Sequence, residues 1–193
     1  MKRIVLILLA LGLCITVGAQ TKRHEISVGG GLTAHPDKLF DEFFPKMNSD
    51  TPDLYDLYEP LYRNVRYSPL ASIEYNYNIL PWMKAGLSAG YFAMWGNKYY
   101  AYNDEEHGVK VVHSISLLPH VKFNAINRDH FKLYGGVGCG AAAMLSKEGT
   151  DFRFVYEIVP AGIEFGGELV YGMSEITITN LYFGVRVGVG FRF

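Results

Sequence analysis

Histidine and serine side chains come close together in one part of this sequence and could serve as a base and a nucleophile. They are His113, Ser114, Ser116 and His120. His113 and Ser114 are adjacent, so on a strand they would point to opposite faces. Ser114, Ser116 and His120 would share a face of a regular strand, but Pro119 predicts a bend or bulge because proline donates no ladder hydrogen bond. This spacing argues against a serine–histidine hydrolase, and we predict that the protein is not an enzyme.

Charged side chains form a second group, scattered through segments that are otherwise mostly apolar. They are Glu74, Lys84, Lys122, Lys132, Glu164, Glu175, Arg186 and Arg192. Polar and apolar residues alternate around them, which is the period of a β-strand with one apolar face and one polar face. Charges of both signs on an inner face could form an ion path or a buried active site. Because an unpaired buried charge is strongly destabilising, we predict instead an interior network of ion pairs, with Glu74, Lys84, Glu164, Glu175, Arg186 and Arg192 as members.

The segment 35–67 combines acidic and aromatic residues. The acidic ones are Asp37, Asp41, Glu42, Asp50, Asp53, Asp56 and Glu59, and the aromatic ones include Phe40, Phe43, Phe44, Tyr55, Tyr58 and Tyr62. Their spacing does not match an EF-hand, and we predict no metal and no cofactor. We expect a long surface loop with a short helix at 38–44. Such loops often bind ligands, and capture of an unidentified ligand is the alternative to a simple cover over the fold.

Strands are the elements that must position these groups. Eight alternating segments of roughly 10 residues are predicted, at 24–34, 68–78, 83–95, 109–126, 131–144, 152–165, 169–177 and 182–193. Tight turns are predicted at 79–82, 127–130 and 166–168, and longer loops at 35–67, 96–108 and 146–151. Beyond Pro160 the apolar parity shifts by one residue, which predicts a β-bulge. We therefore predict an all-β fold, an eight-stranded antiparallel up-and-down β-barrel whose last strand closes against the first.

The last strand, YFGVRVGVGFRF, carries a recognisable pattern. Arg186 is followed by Gly188, with aromatic residues at the third-last and last positions, Phe191 and Phe193. This resembles the C-terminal assembly signal of Gram-negative outer-membrane β-barrels, and the whole chain resembles the small eight-stranded barrels of the OmpA/OmpX type. The resemblance implies a transmembrane barrel in the cell outer membrane. It also implies contact with outer-membrane lipid and recognition by the barrel-assembly machinery through the C-terminal strand.

The first residues have the features of a targeting segment. Lys2 and Arg3 precede an apolar run, and Val17-Gly18-Ala19 resembles a cleavage site, so we predict a cleaved signal peptide at 1–19 with cleavage after Ala19 or Gln20. The barrel domain would then be 20–193. No later segment has the length and apolarity of a membrane helix, which leaves a closed barrel as the way to span a membrane. Cys139 is then the only cysteine, so no internal disulfide is predicted.

The near balance of charges, with 18 basic and 19 acidic residues, argues against a nucleic-acid partner. We predict a monomeric outer-membrane barrel of structural or surface-interaction type with a polar plug inside. A lipid A-modifying enzyme and a narrow small-solute channel are the functional alternatives, and a soluble lipocalin-like barrel, with its apolar face inward, is the structural one. A hairpin turn centred on Asn180 and Leu181 further predicts that Glu175 lies directly opposite Arg186.

Overall fold

The computed structural model describes residues 23–34, 42–44, 60–100 and 106–193. Their regular structure is almost entirely β. The strands are β1 (His24–Ala34), β2 (Pro60–Tyr67), β3 (Leu70–Leu80), β4 (Met83–Tyr100), β5 (Glu106–Arg128), β6 (Phe131–Ser146), β7 (Gly149–Gly166), β8 (Val170–Thr179) and β9 (Phe183–Arg192). In the described part of the chain, no helix is both long enough and apolar enough to cross a membrane.

Two predictions concern segments outside the described residues. The predicted signal peptide at 1–19 lies outside the described residues, and so does most of the long loop between β1 and β2. Of the helix predicted at 38–44, only 42–44 are described. The signal peptide and the helix at 38–44 therefore stay predictions.

The sheet closes on itself. Strand β1 pairs antiparallel with β3 on one side and with β9 on the other, so that Val28 faces both Ile73 and Val189. The remaining strands follow in chain order, and β4 pairs with β5 to complete the ring. At the seam, the backbone N–H of His24 donates to the Phe193 carbonyl at 3.0 Å and the N–H of Phe193 donates back at 2.9 Å. Closure leaves no free edge along the seam.

Strands β2 and β3 follow one another along the chain and together occupy one position of the ring. It pairs with the second half of β4, from Pro60 opposite Tyr100 to Tyr67 opposite Met94, whereas β3 pairs with the first half. The two strands are separated only by the residues at 68–69. Counted around the ring, the barrel has eight antiparallel positions, which confirms the predicted fold class.

Several predicted loops are wrong in extent. Residues 60–67 of the predicted loop 35–67 form β2, which sequence periodicity missed because Asn64 has a positive φ of 52° and the register shifts between Arg63 and Arg66. The predicted loop 96–108 is mostly strand, since β4 and β5 extend into it from both sides. The predicted loop 146–151 is a two-residue turn at 147–148. In each case cross-strand pairing extends the strands beyond the alternating part of the sequence.

The two proline predictions have opposite outcomes. The bulge beyond Pro160 is confirmed, because the β7–β8 register shifts between Ile158 and Ala161. The bend or bulge at Pro119 is wrong, because Pro119 faces Leu87 in a β4–β5 ladder that is unshifted at this point. A single outward proline removes one donor without forcing an extra residue into the strand, so the register survives it.

The barrel has two different ends. The three predicted tight turns are confirmed at 81–82, 129–130 and 167–169, and they lie together at one end, which we call the turn end. The opposite end is the loop end. The last hairpin lies there and has the predicted register, since the Thr179 N–H donates to the Tyr182 carbonyl at 2.8 Å and Glu175 pairs with Arg186.

Candidate functional site

The interior of the barrel is divided into two zones. Inward positions near the turn end and the middle carry charged side chains, and inward positions near the loop end carry apolar ones. Among the described residues, these charged side chains are five carboxylates and five cations: Glu25, Glu74, Glu157, Glu164 and Glu175, and Lys84, Lys122, Lys132, Arg186 and Arg192. Five negative and five positive charges balance, which is what burial of so many charges requires.

The turn-end cluster is built around Glu25 on β1. Its carboxylate accepts from Lys84 Nζ at 3.1 Å, Arg192 Nε at 3.2 Å and Lys132 Nζ at 3.4 Å. Glu164 on β7 contacts the same three cations, including Arg192 Nη2 at 2.7 Å and a short contact with Lys84. Two carboxylates and three cations leave one positive charge in excess in this cluster.

The middle cluster is built around Arg186 on β9. Its Nε donates to Glu175 Oε1 at 2.5 Å and its Nη2 to Glu74 Oε2 at 3.1 Å, while Glu157 Oε1 lies 3.9 Å away. Lys122 Nζ bridges the first two carboxylates, at 2.6 Å from Glu74 and 3.1 Å from Glu175. Three carboxylates and two cations leave one negative charge in excess, which offsets the excess of the turn-end cluster.

Two buried tyrosine rings pack against the clusters: Tyr134 contacts both clusters, and Tyr171 contacts the turn-end cluster. The ammonium groups of Lys84 and Lys122 each lie 5.1 Å from the centroid of the Tyr134 ring, and the Tyr134 hydroxyl donates to Glu175 Oε2 at 2.7 Å. Arg192 stacks over Tyr171 at 4.0 Å. Cation–π contacts and charge-assisted hydrogen bonds strengthen with desolvation, so the tyrosines contribute to a continuous polar plug.

Both tyrosines fit because the neighbouring strand has glycine beneath the ring. A Cβ built at Gly162 would overlap Tyr134, and one built at Gly190 would overlap Tyr171. These inward glycines make room for ring packing. The sequence shows the glycines, but only the register shows which ring each one accommodates.

The apolar zone fills the loop-end half of the interior. It contains Phe92, Met94, Val112, Met144 and Tyr182, all of them buried. The apolar zone begins where the middle cluster ends. Side chains therefore fill the interior of the barrel in both the charged zone and the apolar zone.

A short described piece of the long loop covers the apolar zone. Glu42 and Phe43 have helical backbone. Phe44 is 0% exposed and packs edge-on against Tyr62, with 5.3 Å between the ring centroids. Glu42 accepts from Arg153 Nη1 at 2.8 Å, and the same guanidinium lies 4.7 Å from the centre of the Phe43 ring. The barrel wall therefore holds this piece through an ion pair and a buried ring.

The charged residues that sequence analysis placed in the interior all lie there: Glu74, Lys84, Lys122, Lys132, Glu164, Glu175, Arg186 and Arg192. Glu25 and Glu157 were missed, although both have inward parity. Glu25 is followed by the outward residue Ile26, and Glu157 by the outward residue Ile158. Alternation along β1 and β7 was the signal that could have identified both carboxylates.

The histidine and serine candidates lie on both faces of β5. His113 points outward, where its Nδ1 lies 2.9 Å from the Tyr91 hydroxyl, whereas Ser114 and Ser116 point inward. His120 also points inward, and its Nε2 lies 2.7 Å from Asn76 Oδ1. The wall of the barrel separates His113 from both serines, and His120 is engaged by an amide on another strand.

The residues of the C-terminal pattern have distinct surroundings. Arg186 belongs to the middle cluster. A Cβ at Gly188 would overlap the Val28 carbonyl, so glycine allows β9 to approach β1 closely. The rings of Phe191 and Phe193 stack at 6.2 Å, and Phe193 also stacks on His24 at 5.6 Å. Both aromatics therefore lie beside the seam at the turn end.

The outer surface of the barrel is apolar, in contrast to the charged zone of the interior. Outward positions of β1, β3, β4, β6, β7, β8 and β9 carry no Asp, Glu, Lys or Arg among the described residues. Exposed apolar side chains cover this surface, with Phe152 76% and Phe154 67% exposed. Aromatic residues lie at both ends, among them Trp82 and Phe165 at the turn end and Phe152 and Phe183 at the loop end. An apolar band between two aromatic girdles is typical of barrels that span a membrane.

A closed antiparallel sheet with this polarity defines an eight-stranded up-and-down transmembrane β-barrel. Its architecture is that of the small eight-stranded outer-membrane barrels. The soluble lipocalin-like alternative, which requires an apolar interior and a charged exterior, does not fit.

No family model matches this sequence, and no curated protein matches it. Among solved structures, the chain is similar to the N-terminal β-barrel domain of Pseudomonas aeruginosa OprF, with 12% identity, coverage of 89% of this chain and 98% of that chain, and a TM-score of 0.49. It is also similar to Ail, the attachment invasion locus protein of Yersinia pestis, with 16% identity, coverage of 89% and 97%, and a TM-score of 0.44. Strand closure and the apolar outer surface, rather than these similarities, define the fold.

Proposed function

We propose that this protein is an integral outer-membrane β-barrel with a closed interior, and that it acts as a structural or surface-interaction protein rather than as a channel or an enzyme. The observation that carries the proposal is the filled interior. Ten charged side chains pair across the turn end and the middle of the barrel, and an apolar cluster that includes Phe44 fills the rest. An eight-stranded barrel is just wide enough for side chains to fill it.

The proposed orientation follows from the two ends of the barrel. The turn end, with its short connections, would face the periplasm, and the loop end would face the exterior. Residues 1–19 would be a signal peptide removed during export, and Phe191 and Phe193 would be the contacts through which the assembly machinery recognises β9. The loop-end surface would then be the part of the protein available to a ligand.

An ion path is disfavoured by the pairing of the interior charges. A permeating ion would have to displace contacts such as the one between Arg186 and Glu175 at 2.5 Å, and would then meet the apolar zone. Breaking a buried ion pair is strongly unfavourable, so the network supports a plug.

Planar-bilayer recordings on the refolded barrel test the closed interior. We expect no stepwise conductance from the wild-type chain. Stepwise conductance that changes with Arg186→Met would instead establish the channel alternative.

Two further measurements test location and enzymatic activity. The protein should fractionate with the outer membrane and show heat-shifted gel mobility, and recovery in the soluble periplasmic fraction would refute the membrane placement. Mass spectrometry of lipid A with and without the gene product should show the same species. A new or missing acyl chain would establish the lipid-modifying enzyme.

A further inference from the structure

A basic cavity lies at the rim of the loop end. Its volume is about 100 Å³, and its polar lining consists of Tyr62, Lys98, His107, Lys110, Lys147 and Glu148. It is separate from the ion-pair network, which occupies the middle and the turn end. A space of this size holds several water molecules, enough for a small tetrahedral anion.

Strand register brings the three lysines to this rim. Lys98 is near the end of β4, and Lys110 on β5 pairs with Gly96, two residues before Lys98. Val112 on β5 pairs with Ser146, so the turn between β6 and β7 places Lys147 next to the same part of β5. Strand β4, strand β5 and the turn between β6 and β7 therefore supply one lysine each. Neither sequence spacing nor composition indicates this grouping.

The charges that line the cavity are not balanced among the described residues. Lys110 Nζ binds Glu148 Oε2 at 2.7 Å and lies 5.3 Å from the centre of the Tyr62 ring. Lys98 Nζ lies 5.1 Å from the centre of the Tyr100 ring. Three ammonium groups and one carboxylate in the lining leave two positive charges in excess.

We propose that this cavity binds a phosphate group with at most one ester bond, supplied either as inorganic phosphate or as the phosphate monoester of an anionic lipid headgroup. Near neutral pH such a group carries about 1.5 to 2 negative charges and several acceptor oxygens, which match the excess of two ammonium groups. Lysine binds phosphate as a point charge and needs no planar bidentate geometry. The lipid source rests on the proposed membrane placement, whereas the site itself does not.

The proposal predicts opposite changes in phosphate affinity for substitutions at Glu148 and at the lysines. Its carboxylate competes with an incoming anion for Lys110, so removing its charge should strengthen binding. Removing lysine charge should weaken it. A set of residues that mattered only for stability would not change affinity in opposite directions.

The test is calorimetric titration of inorganic phosphate into the refolded barrel in a nonionic maltoside detergent at low salt, where charges are least screened. We expect K98Q/K147Q to weaken binding at least about tenfold, which corresponds to about 1.4 kcal/mol, and E148Q to strengthen it. R66Q is the matched control, because Arg66 is exposed on the neighbouring strand β2 but does not line the cavity. Its affinity should stay within about twofold of wild type, and heat-shifted gel mobility verifies that each variant is folded.

A second arm separates the two sources of phosphate. Phosphorus NMR of maltoside micelles doped with phosphatidic acid should show line broadening that K98Q/K147Q removes if the lipid headgroup enters the cavity, and no such difference if only free phosphate does. The proposal is overturned if neither probe binds, if R66Q weakens binding as much as K98Q/K147Q, or if E148Q weakens it.

Discussion

Removal of one partner of the Glu175–Arg186 pair should destabilise the barrel by an amount that depends on which partner is removed. The middle cluster has three carboxylates against Lys122 and Arg186, an excess of one negative charge. Arg186→Met leaves the three carboxylates against Lys122 alone and raises that excess to two. Because wild-type Arg186 serves two close carboxylates, we expect a loss of about 3–5 kcal/mol, the range for breaking a buried pair.

Glu175→Gln should be milder. Within the middle cluster it leaves Glu74 and Glu157 against Lys122 and Arg186, two charges of each sign, and the amide oxygen can still accept from Tyr134. We expect a loss of about 1.5–3 kcal/mol, the range for one hydrogen bond to a charged group. The double variant restores the wild-type excess of one negative charge, so its loss should fall short of the sum of the single losses by at least about 1 kcal/mol.

Urea unfolding of the refolded barrel in lipid vesicles, followed by the fluorescence of Trp82 and Trp95, measures these losses. Arg66→Met is the control for the loss of an exposed arginine, and its effect should be within about 0.5 kcal/mol. Additive losses in the double-mutant cycle, or a larger loss for Glu175→Gln than for Arg186→Met, would refute the charge argument.

Three further predictions test assembly, packing and topology. Deleting Phe193, or replacing Phe191 and Phe193 by Ser, should leave the protein unassembled in the periplasm, and normal heat-shifted protein in the outer membrane would contradict this. Gly190→Ala should lower the free energy of unfolding by about 1–3 kcal/mol, because the added methyl overlaps Tyr171; an undiminished loss in a Tyr171→Leu background, in the same urea assay, would show that the overlap is not the cause. An epitope tag near Asn48 should bind antibody on intact cells, and binding only after the outer membrane is broken would invert the topology.

Much of the fold could be predicted because its information is local. Alternation along β7 and β9 indicates strands whichever partner they have, and a parity slip at Pro160 indicates a bulge. The strand β2 could not be found in this way, because Asn64 and the register shift beside it destroy the alternation. The bend or bulge predicted at Pro119 was wrong for a different reason. Proline often interrupts a strand, but Pro119 occupies an outward position where the ladder tolerates the missing N–H donor.

The contacts of the candidate site also divide into local ones, which the sequence predicts, and long-range ones, which it does not. The inward parity of Glu175 and Arg186, and the hairpin between them, were predictable because the two residues are neighbours across one short turn. Glu25 binds Lys84, Lys132 and Arg192, which come from strands far apart in sequence. No periodicity within one strand contains that information.

By itself, the sequence determined the strand period, the apolar outer face and the charged inner face, because each depends only on alternation within a segment. The tertiary structure decided which charges meet, which glycine accommodates which tyrosine, and that lysines from two strands and a turn share one cavity at the rim. Those contacts depend on the register and closure of the ring, and a barrel closes through all its strands at once.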